Sequence, residues 1–275
     1  RTISRDGSAH PHFDTPPSEP GRCAPVFVVG FPRSGTTLMG RILHSHPAFT
    51  CGDELGLIDI AIRTMEQRDR PYPETLDDLS SDDVKAIRMA YWQAIPPAMA
   101  AKSTERWVDK HPIHVIHLPL IWRLFPAAQV LVMVRHPLDV CRSCYFQSFE
   151  LNALTRCFHE LESTAEFYDS VMDLFDQYHP HAAPHLHMVR YEDLVTDFDG
   201  AMRSILEYLG APWSERIRHF HRTAQLDRAI RTPSYHQVIR PIYSDSVERW
   251  PAYASHLQTI RSVLQPWCDR FDYAG

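Results

Sequence analysis

The stretch Pro25-Val26-Phe27-Val28-Val29-Gly30-Phe31-Pro32-Arg33-Ser34-Gly35-Thr36-Thr37-Leu38 constrains the fold more than any other part of the chain. Val26 to Val29 form a short apolar run rich in β-branched residues, the pattern of a strand buried on both faces of a parallel sheet. The run stops at Gly30. From Thr36 onward, Leu38, Ile42 and Leu43 fall at helical spacing, so a strand passes through a short loop straight into a helix. The first backbone N–H groups of such a helix have no partner within it, and the helix dipole adds positive potential there. The junction is therefore suited to an anion such as a phosphate. Charge-assisted hydrogen bonds contribute about 1.5–3 kcal/mol each, so a few of them hold one firmly.

Gly30 and Gly35 have the spacing of the nucleotide-binding pattern G-x-x-x-x-G-K-[ST]. The chemistry departs from that pattern. Thr36 follows Gly35 where Lys is expected, and the cation lies inside the loop as Arg33. A triphosphatase also places a carboxylate at a buried strand end to hold Mg²⁺, whereas the run Val130 to Val134 ends in Arg135. The loop suits a nucleotide phosphate handled without a triphosphate. Two rivals stay open at this point: a P-loop nucleotide kinase or hydrolase, and a catalytically inactive nucleotide-binding interaction module.

Strand and helix signals alternate from residue 25 onward, which implies an α/β, P-loop-type three-layer fold: a central parallel sheet with helices on both faces. The strands expected are Val26–Gly30, Phe49–Cys51, Trp107–Asp109, Val130–Arg135 and His187–Arg190. Helices are expected near 36–46, 55–68, 81–100, 114–125, 137–150, 159–178 and 197–209, with another starting near Ser255. Segments 69–105 and 215–235 are expected to shape an acceptor pocket, 69–82 as a loop over the sheet. Residues 1–24, punctuated by Pro11, Pro16, Pro17 and Pro20, read as a flexible Pro-rich linker, and the missing Met suggests material cut away upstream. Residues 25–275 read as one domain, and a chain of 275 residues with 44% hydrophobic content is large enough for a complete core.

Net charge of −6 argues against nucleic acid as a partner, and no apolar stretch is long enough to span a membrane. The six cysteines are spread singly except for Cys141-x-x-Cys144, and no second pair completes a zinc set, so ordinary thiols are expected. The seventeen histidines include the close pairs His44/His46, His111/His114, His185/His187 and His219/His221. None forms His-Glu-x-x-His, so core or solvated histidines are expected and no metal.

Ligands of open α/β sheets bind at the carboxyl ends of the strands. Three such ends carry polar residues: Asp53 and Glu54, then Lys110, then Arg135 with His136-Pro137 opening a helix that presents Ser143. Arg135 and Ser143 are placed to grip one phosphate together.

These residues resemble the sulfotransferases that use 3′-phosphoadenosine 5′-phosphosulfate (PAPS). Phe-Pro-Arg-Ser-Gly-Thr-Thr at 31–37 is similar to their 5′-phosphosulfate loop, which implies that Pro32, Arg33, Ser34, Gly35, Thr36 and Thr37 hold that end. Val-Arg-His-Pro-Leu-Asp-Val-Cys-Arg-Ser at 134–143 is similar to their 3′-phosphate segment, with Arg135 and Ser143 as the matching ligands. Val-Arg-Tyr-Glu-Asp-Leu-Val at 189–195 resembles the motif whose tyrosine, here Tyr191, reaches the nucleotide. The nearest resemblance is to tyrosylprotein sulfotransferases and bacterial relatives often fused to helical repeats. Cys-Gly-Asp-Glu at 51–54 then makes Glu54 the catalytic base, and Asp-Lys-His-Pro at 109–112 assigns Lys110 to the sulfonate. Ser-Tyr-His-Gln-Val-Ile-Arg-Pro at 234–241 assigns Ser234 to the sulfonate region and Arg240 to the 3′-phosphate. Ser246-Val-Glu-Arg-Trp250-Pro-Ala-Tyr253 matches the closing segment of the bacterial group.

The resemblance implies PAPS as donor, 3′-phosphoadenosine 5′-phosphate (PAP) as product, a hydroxyl-bearing acceptor and no metal. In the Golgi enzymes a Cys before Asn-Lys pairs with the first Cys; here Val108 stands opposite Cys51. That disulfide is excluded, so a reducing, cytoplasmic location is expected. Asp53 and Leu55 also replace residues of the acceptor-contacting stretch, which leaves protein tyrosine, sugar, lipid and small phenol all open.

Overall fold

The computed structural model describes residues 23–99, 105–147, 149, 155–181, 184–226, 239–243 and 245–273. Short apolar runs pair there into a five-stranded sheet: β1 (Val26–Gly30), β2 (Phe49–Asp53), β3 (Arg106–Lys110), β4 (Gln129–Val134) and β5 (Leu186–Arg190). The order is β2-β3-β1-β4-β5 and every pair is parallel. β1 is buried along its whole length, as its unbroken apolar run requires.

Ten helices cover this sheet among the described residues: α1 (Thr36–Ser45), α2 (Leu57–Glu66), α3 (Ser81–Gln93), α4 (Leu118–Leu124), α5 (Pro137–Tyr145), α6 (Leu161–Tyr178), α7 (Tyr191–Thr196), α8 (Phe198–Leu209), α9 (Phe220–Leu226) and α10 (Gln258–Arg270). Side chains of a strand alternate between faces, and β1 shows it. Phe27 and Val29 enter a core with Ala61 of α2, Tyr91 of α3, Val171 of α6 and Leu264 of α10. Val26 and Val28 enter the opposite core with Ile42 of α1, Ile205 of α8 and Phe220 of α9. The α/β three-layer arrangement is the one the alternating pattern implies. Trp267 is buried and Trp250 packs on the first core, so both tail tryptophans belong to the fold.

Several boundaries differ from expectation for local reasons. The helix expected over 81–100 ends at Gln93, since Pro96 and Pro97 lack the N–H groups that would continue it, and Pro97–Met99 turns as a 3₁₀ segment. Pro112–His117 is likewise 3₁₀ before α4. The helix expected over 137–150 stops at Tyr145. β2 runs to Asp53 rather than Cys51, so Asp53 belongs to the strand. In the 69–82 loop Tyr72 and Leu76 pack against the first core, and Ser80 closes a reciprocal capping box with Asp83 at the start of α3. The segment expected as a 215–235 loop is helical from 215 to 226, and buried Ile217, Phe220 and Ala224 form its inner face.

The register places Cys51 beside Val108, and none of the six cysteines is in a disulfide. Cys141 and Cys144 are buried, and desolvation raises both thiols, Cys144 to about 12. Such thiols are inert at ordinary pH. No helix among the described residues is long and apolar enough to cross a membrane.

Candidate active site

The loop after β1 is shaped by close backbone packing. A Cβ on Gly30, whose φ is 149°, would lie 2.4 Å from the Met133 carbonyl oxygen, so only glycine fits. Arg33 and Gly35 both have left-handed backbone, with φ of 72° and 102°. The Ser34 N–H donates to the Phe31 carbonyl at 3.2 Å, closing the turn between them. Gly35 then serves as N-cap of α1 with no side-chain capping bond. The opening amides of α1 are left to serve an anion, and such alternation of backbone hand builds a nest of N–H donors. The Ser34 hydroxyl is buried there with no hydrogen-bond partner among the described residues. Thr36 and Thr37 are buried beside it, and the Pro32 carbonyl accepts from Cys144 Sγ. A Cβ on Gly35 would come within 2.7 Å of the Tyr191 ring, so Tyr191 lies directly on the loop.

Two arginines converge where β1 and β4 end. Arg33 Nε donates to Ser143 Oγ of α5 at 3.1 Å. Arg135 Nη1 donates to the Arg33 carbonyl at 3.2 Å, its Nη2 donates to the Ser246 carbonyl, and its guanidinium stacks 4.8 Å over the Tyr191 ring. Ser143 is thus reached by Arg33, where the sequence places it with Arg135. Burial lowers the pKa of Arg33, and the nearby Arg135 charge lowers it further. Two desolvated cations against a nest of amides accommodate a nucleotide bisphosphate well. Arg135→Ala is expected to weaken PAP binding by about 10–150-fold, the equivalent of one charged hydrogen bond at about 1.5–3 kcal/mol; titration calorimetry reads this, and unchanged affinity would remove Arg135 from the phosphate site.

A second charged group forms where β2 and β3 end. Asp53 of β2 lies in register with Lys110 of β3, and the Glu54 N–H donates to the Lys110 carbonyl at 2.9 Å. Lys110 Nζ donates to Glu54 Oε1 at 2.7 Å and pairs with Asp53 Oδ1 at 3.0 Å. Arg41 of α1 pairs with Asp53 from the other side. Lys110 is fully buried, which lowers its pKa, while the Glu54 charge opposes that fall. Its stem passes α1 because residue 40 is glycine: a Cβ there would meet Lys110 Cγ and Cys51 Sγ at 3.2 Å. Glu54 has left-handed backbone, φ 47°, and its side chain is 36% exposed at the mouth of the group. The arrangement can accept a proton at Glu54 and neutralise an anion at Lys110.

Sequence reading missed Arg41; the available signal was a charged residue on the buried face of α1, where it is only 4% exposed. It also missed Asp59, which α2 brings beside His111 and His114. Arg240 is exposed, flanked by Ile239 and Ile242, which pack near Leu38 and the second core. Ser234 lies outside the described residues.

The Sulfotransferase family model matches residues 25–215, which contain the loop after β1, Glu54, Lys110, Arg135, Ser143 and Tyr191. The chain belongs to the sulfotransferase family. It is 29% identical over 249 residues to an uncharacterized Aquifex aeolicus protein, covering 88% of this chain and 32% of that protein. It is 26% identical over 265 residues to protein-tyrosine sulfotransferase 1 of Danio rerio, covering 90% of this chain and 72% of the relative. Protein-tyrosine sulfotransferase A of Caenorhabditis elegans is 24% identical, with 82% and 60% covered. The chain thus spans about a third of the first of these relatives and 60–72% of the other two. In fold it is similar to the sulfotransferase domain of the curacin biosynthetic pathway, with TM-score 0.61, 19% identity and coverage of 92% and 99%. The sulfotransferase domain of the Synechococcus PCC 7002 olefin synthase gives TM-score 0.60 and 19% identity, with 86% and 90% covered.

Proposed function

We propose that this chain transfers a sulfonate group from PAPS to an acceptor hydroxyl, releasing PAP. The observation that carries the reading is the Glu54–Lys110 pair, 2.7 Å apart, in a chain whose phosphate loop carries Arg33 in place of a P-loop lysine. In the reaction the acceptor oxygen attacks sulfur in line with the bond to the 5′-phosphate. Glu54 takes the hydroxyl proton as the new S–O bond forms and the old S–O bond breaks. Negative charge moves onto the 5′-phosphate of PAP, where Lys110, Arg33 and the amides of Ser34 to Thr37 neutralise it. A loose, spread-out transition state needs positioning and positive charge more than covalent help from the protein. Before donor arrives, Lys110 is held by Glu54; the incoming anion competes for Lys110 and leaves the carboxylate able to turn to the acceptor.

In this reading Arg135, Ser143 and Tyr191 hold the nucleotide, with Arg240 at the 3′-phosphate and Ser234 near the sulfonate. Residues 25–275 act as one catalytic unit, with 1–24 as its linker. Val108, standing opposite Cys51 where a disulfide partner would be needed, supports a reducing compartment, the cytoplasm. The names of the relatives make a tyrosine-bearing peptide the first acceptor to assay, beside sugars and simple phenols. A thermal-shift comparison tests the donor class: 3′,5′-adenosine bisphosphate without magnesium is expected to raise the melting temperature, and ATP with magnesium is not. The reverse result would make the chain a kinase or hydrolase. Donor binding with no radiolabelled sulfonate transferred to any acceptor class would make it an inactive binding module.

A further inference from the structure

Val134 of β4 lies in register with Arg190 of β5, so Arg135 and Tyr191 leave the sheet side by side. The next residue of each turn joins one hydrogen-bonded chain. The His136 N–H donates to Glu192 Oε1 at 3.0 Å, and the Tyr273 hydroxyl donates to Glu192 Oε2 at 2.7 Å. One carboxylate thus spans the turn after β4 and the turn after β5, and ties both to the segment that follows α10. The His136 ring packs on Tyr273 and on Trp250, with centroids 5.2 and 5.1 Å away, and its Nδ1 accepts from the Leu138 N–H at the start of α5, the helix that carries Ser143. Tyr273 is buried, its N–H donates to the Cys268 carbonyl at 2.8 Å, and the Arg190 guanidinium lies 4.3 Å over its ring. Burial first, then the Glu192 charge, raise the Tyr273 phenol far above its ordinary pKa, so it stays a donor at any working pH. A phenol donating to a carboxylate is among the stronger hydrogen bonds.

We propose that Glu192 and Tyr273 are positioning residues for the donor nucleotide, an inference that rests on the reading of this end of the sheet as the PAPS site. Neither takes part in the movement of the proton or the sulfonate. Their bond locks the turn after Arg135 to the turn that opens with Tyr191, and so holds the Arg135 guanidinium in its stack 4.8 Å over the Tyr191 ring before donor arrives. A site ordered in advance spares the ligand the cost of ordering it, and that saving appears as affinity. The fold does not depend on the clasp. α10 is anchored by Ile260, Leu264, Trp267 and Cys268 in the first core and by the Arg270–Asp176 pair at its exposed side. The Tyr273 hydroxyl is therefore free to serve the site rather than the helix.

The test is titration calorimetry with PAP on the whole chain and four variants, each first shown to be folded by circular dichroism. Tyr273→Phe removes only the hydroxyl and is expected to weaken PAP binding about 3–10-fold, the range for one hydrogen bond. Glu192→Ala also leaves the His136 N–H without its acceptor and is expected to weaken binding about 10–100-fold. Glu192→Gln is expected to recover most of that loss, because its amide can accept from His136 and donate to the phenol oxygen. Arg270→Ala loosens α10 away from the clasp and is expected to keep native affinity. Native PAP affinity in Tyr273→Phe and Glu192→Ala, with only the melting temperature lowered, would overturn the proposal and leave the pair a brace of the fold. Equal weakening in Arg270→Ala would overturn it in favour of general loosening. Failure of the native chain to bind PAP at all would instead overturn the donor reading, and the clasp with it.

Discussion

Glu54→Gln is expected to lower turnover by about 10²–10⁴-fold, the range for removal of a general base, while PAP affinity holds. The substitution keeps the shape of the side chain and a hydrogen-bonding oxygen for Lys110, 2.7 Å away in the native protein. What it removes is the ability to accept a proton. Steady-state kinetics with labelled donor, set beside calorimetry with PAP, separate these properties. Native turnover in the Glu54→Gln variant would show that the acceptor proton leaves by another route and that Glu54 serves only to hold Lys110.

Lys110→Met is expected to be the second severe change, with turnover lowered by about 10²–10³-fold, the loss that follows removal of one preorganised group stabilising developing charge. Methionine preserves most of the buried stem, so the packing beside Gly40 is retained. It also strips a fully buried cation from two carboxylates, Asp53 and Glu54. Asp53 keeps Arg41 and Glu54 is open to water, so the fold survives with reduced stability. The diagnostic is selective. PAP should still protect the variant against heat through Arg33, Arg135 and the loop amides, whereas transfer should be almost lost. If turnover were native once the variant was folded and saturated with donor, Lys110 would be a structural brace for its two acids.

Much of this was legible in the sequence, and the reasons differ by element. β1 and β4 are doubly buried, so their unbroken apolar runs leave no other solution, and the loop between Gly30 and Gly35 follows from strand, glycines and helix in succession. The absence of a Cys51 disulfide needed only the residue opposite it, and the register places Val108 there. Glu54 and Lys110 were each legible as polar residues at strand ends, but their roles came from resemblance, because one follows β2 and the other closes β3 and nothing in their spacing joins them. Arg33 reaching Ser143 is similarly long-range and was assigned to Arg135 instead. The helical 215–226 segment did carry a signal, since Ile217, Phe220 and Ala224 fall at helical intervals, but its charged and histidine-rich surroundings hid it. Asp59 with His111 and His114 was illegible: one partner comes from the chain between β2 and β3, the other two from the chain after β3, and only the sheet order brings them together.

Arg33 and Glu54 share the conformation in which glycine is at ease and an ordinary side chain is not, with a cost of order 1–3 kcal/mol apiece. Glycine would relieve that cost at both places but would strip Ser143 of Arg33 and buried Lys110 of Glu54, so the strain is held in place by the same bonds that the proposed mechanism uses. In the proposed mechanism robustness and chemistry meet at these two codons, so a hardened version must find its extra stability elsewhere in the chain.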